Sequence, residues 1–160
     1  MKNVIALFIF AVFFASSQSL HAAAGDNFSV KSTDGIIKLS QFKGQVVYID
    51  FWASWCAPCR KSFPWMNKMH AKYEDKGLKI IAVSLDTSED ITKKFLKKNP
   101  ALFNIAYDPD GNVADSYKVQ VMPTSYLIGK DGKLIMTHKG FRTKHTEALE
   151  EELRKALGLK

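Results

Sequence analysis

Apolar positions along this chain follow two periods. Gln45 to Trp52 contains the run Val46-Val47-Tyr48-Ile49-Asp50-Phe51-Trp52, and Leu78 to Leu85 reads Leu-Lys-Ile-Ile-Ala-Val-Ser-Leu. Mainly apolar runs of this length, rich in β-branched and aromatic residues, predict strands buried on both faces. Ile36 to Leu39 predicts a short edge strand and Asn104 to Tyr107 another short strand. Tyr126 to Ile128 and Lys133 to His138 predict a hairpin that turns at Gly129-Lys130-Asp131-Gly132. Between the two buried runs the pattern becomes helical, from about Pro58 to Tyr73. A kink is expected at Pro64, because proline removes a backbone donor and crowds the preceding turn. Thr87-Ser88-Glu89-Asp90 predicts a capped helix start. The apolar side of that helix is Ile91, Phe95 and Leu96, and its solvated face carries Lys93, Lys94, Lys97 and Lys98. A last amphipathic helix, about Thr143 to Leu157, turns Leu149, Leu153, Ala156 and Leu157 inward. Strands alternating with helices predict an α/β fold around a central sheet.

The first 25 residues have neither period. Met1-Lys2-Asn3 is followed by 12 apolar residues, Val4 to Ala15, then by polar residues and the small-residue end Ala22-Ala23-Ala24-Gly25. This order predicts a secretory signal peptide, residues 1–24, cleaved after Ala24. Twelve apolar residues fall short of the roughly 20 that a spanning helix needs. The expected product is a single domain, residues 25–160, exported to a bacterial periplasm. The leader carries one Lys and no acid, so the formal charge drops from +7 to +6 on its removal. The lysines read as a solvated helix face. Without interleaved aromatics they do not make a nucleic-acid surface.

The chain has two cysteines, and they stand together in Trp55-Cys56-Ala57-Pro58-Cys59, between a buried strand and the helix that follows it. Thiols three apart at such a junction suit the opening and closing of one disulfide. A structural zinc site would want further Cys or His ligands in a second cluster, which the sequence lacks. Haem attachment would want His after the second Cys, where Arg60 stands. A purely structural bridge over so short a loop removes little entropy from the unfolded chain. Neither a metal nor another cofactor is called for. Exported proteins usually spend cysteines on staples, so a lone pair is either kept reduced by a dedicated donor or kept oxidised so that it can be given away.

Helix geometry marks Cys56 as the nucleophile, since unpaired backbone donors and the positive end of the helix dipole favour its thiolate. Cys59, one turn further in, is the resolving thiol and needs a base. Asp50, flanked by Ile49, Phe51 and Trp52, is the candidate, with a pKa raised by burial. Trp55 is expected to be exposed in a substrate groove and Trp52 to be core. Asp108 to Asn112 reads as a turn, because Val113 and Val119 occupy positions where a calcium loop needs Gly and Glu. His138 and His145 read as surface residues of a strand and a helix.

Three groups of residues carry a family resemblance. They are Phe51-Trp52-Ala53-Ser54-Trp55-Cys56-Ala57-Pro58-Cys59, Pro64 five residues past the second cysteine, and Met122-Pro123-Thr124 before the Tyr126 strand. Over nearly all of residues 25–160 the chain resembles the thioredoxin superfamily, and within it the exported TlpA- and ResA-like thiol-disulfide oxidoreductases. The resemblance implies a thioredoxin-like fold: a central mixed sheet flanked by helices, with an inserted strand-helix unit that accounts for part of Tyr73 to Tyr107. It implies a cis bond before Pro123, with Met122 offering its backbone to an extended substrate segment, and a substrate site made of Trp55, Pro58, Met122, Pro123 and Thr124.

Two positions depart from the family pattern. Ser62 stands where similar reductases place Glu, and Asp50 where they place Asn. Asp50 matches the buried acid of cytoplasmic thioredoxins, whose companion lysine falls at Ala82 here. Ala57-Pro58 has no His to stabilise a thiolate. The expected activity is therefore reduction of protein disulfides. The resemblance implies that this serves cytochrome c maturation or protein rescue, with electrons from a membrane thiol donor, and the protein is expected to be a monomer. A disulfide donor and a Cu(I)-binding chaperone are the alternatives. A thiol peroxidase would carry Thr where this chain has Ala53.

Overall fold

The computed structural model describes residues 28–160, so the expected leader, residues 1–24, lies outside the described residues. Seven strands form one sheet in the order β2-β1-β5-β4-β3-β6-β7. They are β1 (Ser29–Ser32), β2 (Gly35–Lys38), β3 (Val46–Trp52), β4 (Leu78–Ser84), β5 (Asn104–Tyr107), β6 (Thr124–Ile128) and β7 (Leu134–Lys139). β3, β4 and β5 are parallel, and antiparallel β1 and β6 join them on either side. The two central runs are the buried ones, as their composition requires. All seven residues of β3 are buried, and so are all of β4 except Lys79.

Among the described residues, three α-helices connect strands, α1 (Ala57–Tyr73), α2 (Glu89–Lys98) and α3 (Asn112–Ser116), and a fourth, α4 (Thr146–Leu157), follows β7. Side chains alternate across a strand, and β3 therefore divides the core in two. Val46, Tyr48 and Trp52 pack with Phe63, Met66 and Met69 of α1, with Leu149, Leu153 and Leu157 of α4, and with Phe95 and Leu96 of α2. Val47, Ile49 and Phe51 face the other way, against Phe28, Val30, Leu39, Ala114, Tyr117 and Tyr126. α2 and β5 lie in the segment expected to hold the insertion, and β5 adds to the outer side of β4.

Several local readings change. α1 runs continuously through Pro64, whose side is exposed and needs no neighbour to move. β1 and α3 were not anticipated. β1 pairs with β2 around Thr33-Asp34, a hairpin whose Asp34-Gly35 signal is present in the sequence. The Asp108 turn closes with a Gly111 N–H to Asp108 carbonyl bond at 3.1 Å and leads straight into α3, where Asp108 Oδ2 accepts from Ala114 N–H at 2.8 Å. Ser88 precedes α2 in extended conformation, but its side chain makes no capping bond. Ile91 is 40% exposed, and the fully buried residue of α2 is Thr92. The expected final helix starts as a short 3-10 turn, Thr143–His145, before α4.

Candidate active site

The cysteines occupy the junction of β3 and α1 and are joined as a disulfide, with Cα atoms 5.3 Å apart. Cys56 is the N-cap of α1, in extended conformation, and its sulfur accepts from Cys59 N–H at 3.3 Å. Pro58 sits inside the first turn, where a missing N–H costs the helix nothing. No acid lies in that turn, so the positive end of the helix is unopposed at Cys56. Cys56 is buried apart from a small exposed area, whereas Cys59 is wholly buried. A substrate sulfur can approach only the first of them.

The apolar flanks of Asp50 put it in the middle of the sheet, 1% exposed. It shares the α1 side of β3 with Tyr48 and Trp52, both in the cluster that contains Cys59. Its partner on β4 is Ala82, so no cation stands beside it there, and its partner on β6 is Ser125. Ser125 Oγ–H donates to Asp50 Oδ1 at 2.7 Å, while Oδ2 is buried without a partner. Burial pushes the Asp50 pKa up from 3.8 to about 7, against the smaller lowering effect of the Ser125 bond. The same burial, with the Asp50 charge nearby, raises the Tyr48 phenol. Ser62, where an acid was a family expectation, is buried and donates to the Cys59 carbonyl at 2.8 Å.

A groove of about 530 Å³ opens beside the disulfide. Trp55, Pro58 and Met122 line it, together with Cys56, Ala57, Leu85, Val119, Gln120 and Val121. Trp55 is 67% exposed and Trp52 fully buried. The Met122-Pro123 bond is cis. Pro123 and Thr124 are buried and lie outside the groove lining. Thr124 Oγ–H donates to the Val121 carbonyl at 2.7 Å, and the Pro123 carbonyl accepts from Gly140 N–H at 2.7 Å, which ties the loop to the end of β7. Among the described residues no backbone bond engages Met122. Ser125, Leu85 and the segment Val119 to Val121 were not singled out from sequence. The β3–β6 register brings Ser125 to the site, the β3–β4 pairing brings Leu85, and the closure of the loop before β6 brings Val119 to Val121. His138 and His145 are half-buried, with ring centroids 5.9 Å apart, and burial followed by the His145 charge lowers the His138 pKa.

A sulfur pair that opens and closes at a helix N-terminus, on a thioredoxin fold, exchanges disulfides with partners. The class is the thioredoxin-fold thiol-disulfide oxidoreductases. Comparison with known proteins agrees. The chain belongs to the AhpC/TSA family, which matches residues 22–137. It is 44% identical over 130 residues to the thiol-disulfide oxidoreductase ResA of Bacillus thuringiensis subsp. konkukian, covering 81% of this chain and 74% of that protein. With ResA of Bacillus subtilis the identity is 34% over 137 residues, 84% and 76% of the two chains. Among solved structures it is similar to a chain from Chlorobium tepidum assigned as a DsbE-type thiol:disulfide interchange protein. That match has a TM-score of 0.80 at 50% identity and covers 82% of this chain and 93% of that one.

Proposed function

We propose that the protein is exported to the periplasm by cleavage of residues 1–24 and works there, as a monomer, as a reductase of protein disulfides. Its clients would be oxidised apocytochromes c or oxidised proteins in need of rescue, and a membrane thiol donor would return the electrons. The observation that carries the direction is that the helix end alone, with no side-chain cation between the cysteines, stabilises a Cys56 thiolate. Its sulfur receives one backbone N–H, from Cys59, and Ala57-Pro58 supplies no imidazolium. A strong oxidant is one whose reduced form is specially stabilised, and nothing of that kind stands at this helix end.

The steps follow from the two burials. The Cys56 thiolate attacks one sulfur of the client disulfide, forming a mixed disulfide and releasing the other client sulfur as a thiolate, which takes a proton from solvent. Cys59 passes its proton to the Asp50 carboxylate and attacks Cys56 Sγ. The Cys56–Cys59 bond forms, the client's second sulfur leaves, and two electrons have moved to the client. The apolar groove and the unengaged Met122 backbone would hold the client segment as an added strand. Catalytic reduction of insulin disulfides with dithiothreitol as electron source tests this reading. Efficient oxidation of a reduced, unfolded protein with little insulin reduction would overturn it.

A further inference from the structure

A second polar cluster lies behind the motif. Asp86 follows β4 in the connection to α2 and is 3% exposed. Its Oδ1 accepts from the N–H and the Oγ–H of Ser54, each at 3.0 Å. Its Oδ2 accepts from Ser84 Oγ at 3.2 Å and Thr92 Oγ1 at 2.8 Å, and those two hydroxyls are 2.7 Å apart. Ser84 and Thr92 are themselves buried, so the cluster is a closed, mutually satisfied network. Its one connection to the thiol chemistry is Ser54, two residues before Cys56.

The stretch from Ala53 to Cys56 lies between β3 and α1. A Cys56 N–H to Ala53 carbonyl bond at 3.1 Å closes it as a turn, the Cys56 carbonyl accepts from Arg60 N–H at 3.1 Å, and a few further bonds anchor the turn to its surroundings. Asp86 holds Ser54 from the core side. Arg60 donates to the Ser54 carbonyl at 3.1 Å from the solvent side, and Leu85 N–H donates to the Trp52 carbonyl at 2.8 Å. Arg60 is exposed, whereas the Asp86 bonds are sheltered from water and hold more firmly. We propose that Asp86 is a positioning residue for the nucleophile: through Ser54 it fixes the corner between β3 and α1, and so keeps the Cys56 sulfur where Cys59 N–H can donate to it.

The inference rests on the thiol exchange and not on its direction. It has a readout that charge alone would move the opposite way. Removing a nearby negative charge should ease ionisation of Cys56, whereas loosening the corner should withdraw the Cys59 N–H bond and oppose it. The experiment is the pH dependence of iodoacetamide alkylation of Cys56 in the reduced, full-length protein, together with thermal melts. Asp86→Ala is expected to raise the Cys56 thiol pKa by about 1 and to slow alkylation at neutral pH about tenfold. Asp86→Asn keeps an oxygen for Ser54 and should not raise that pKa. Thr92→Val cuts the network away from the corner and should lower the melting temperature while leaving alkylation unchanged. An Asp86→Ala protein with an unchanged or lowered Cys56 pKa would overturn the proposal. If that variant does not fold, Ser54→Ala decides: it removes the hydroxyl bond to Asp86 and keeps the N–H bond, so it must slow alkylation, by less than about tenfold, where Thr92→Val does not, and equal behaviour of the two would reduce the cluster to a core element.

Discussion

Asp50 and Ser125 stand directly opposite each other on β3 and β6, and the serine hydroxyl gives the buried carboxyl its one hydrogen bond, at 2.7 Å. With Ala82 on the other side, nothing there neutralises an ionised Asp50. Burial, only partly offset by the Ser125 bond, raises its pKa to about 7 in the folded protein against 3.8 ordinarily. Between those values the unfolded chain releases the proton and the folded chain retains it, so this group lowers stability as pH rises from about 4 to about 7. The loss is complete above the folded pKa and absent below the unfolded one. At 1.36 kcal/mol per pKa unit the cost approaches about 4 kcal/mol at pH 8. Asp50→Asn should thus raise the melting temperature of the oxidised protein at pH 8 and leave it unchanged near pH 4. Equal melting temperatures at pH 8 would show that Asp50 is not buried in this way.

In the proposed mechanism the same carboxyl sets the pH dependence of the second chemical step. Attack by Cys59 should accelerate as pH rises through about 7, because only ionised Asp50 can accept its proton. Asp50→Asn should slow release of a preformed mixed disulfide about tenfold at neutral pH, with little change in alkylation of Cys56. Stopped-flow measurement of mixed-disulfide decay separates the two steps, and a variant that decays at the parent rate would remove Asp50 from the mechanism.

Cys59→Ser should hold the client as a mixed disulfide through Cys56. Cys56→Ser should form none, because Cys59 is wholly buried. Non-reducing electrophoresis after mixing with an oxidised protein reads both outcomes directly.

The two tryptophans that flank Ala53-Ser54 should behave oppositely. Trp52 is packed against Phe63 and Phe95 at centroid distances of 4.5 and 5.2 Å, and its truncation to Ala should cost about 3–5 kcal/mol of stability. Trp55 is 67% exposed, so Trp55→Ala should change stability by about 0.5 kcal/mol or less. It should instead weaken client reduction by raising KM, since the lost surface belongs to the groove. Urea melts and insulin-reduction kinetics on the same two variants check the contrast.

Much of this was legible in the sequence, because the information was local. The thiols, the strand before them and the helix after them form one continuous stretch, and the apolar flanks of Asp50 already implied its burial. What was not legible depends on register between distant segments. Ser125 meets Asp50 across 75 residues of chain, and Asp86 meets Ser54 across 32. Helical spacing alone is compatible with Ile91 or Thr92 facing inward. The Asp86 carboxylate makes the polar residue the buried one, and Ile91 is left 40% exposed. β1 escaped notice because only Val30 and Ser32 of its four residues are buried, too few to show an alternating pattern.

Direction of electron flow is the central claim, and the equilibrium potential of the Cys56–Cys59 pair tests it most directly. Equilibration in dithiothreitol or glutathione buffers, followed by the fluorescence of buried Trp52 and exposed Trp55, would give the value. The account predicts a potential near the thioredoxin end of the scale, about −270 mV. A value near about −120 mV would contradict it and make the protein a disulfide donor.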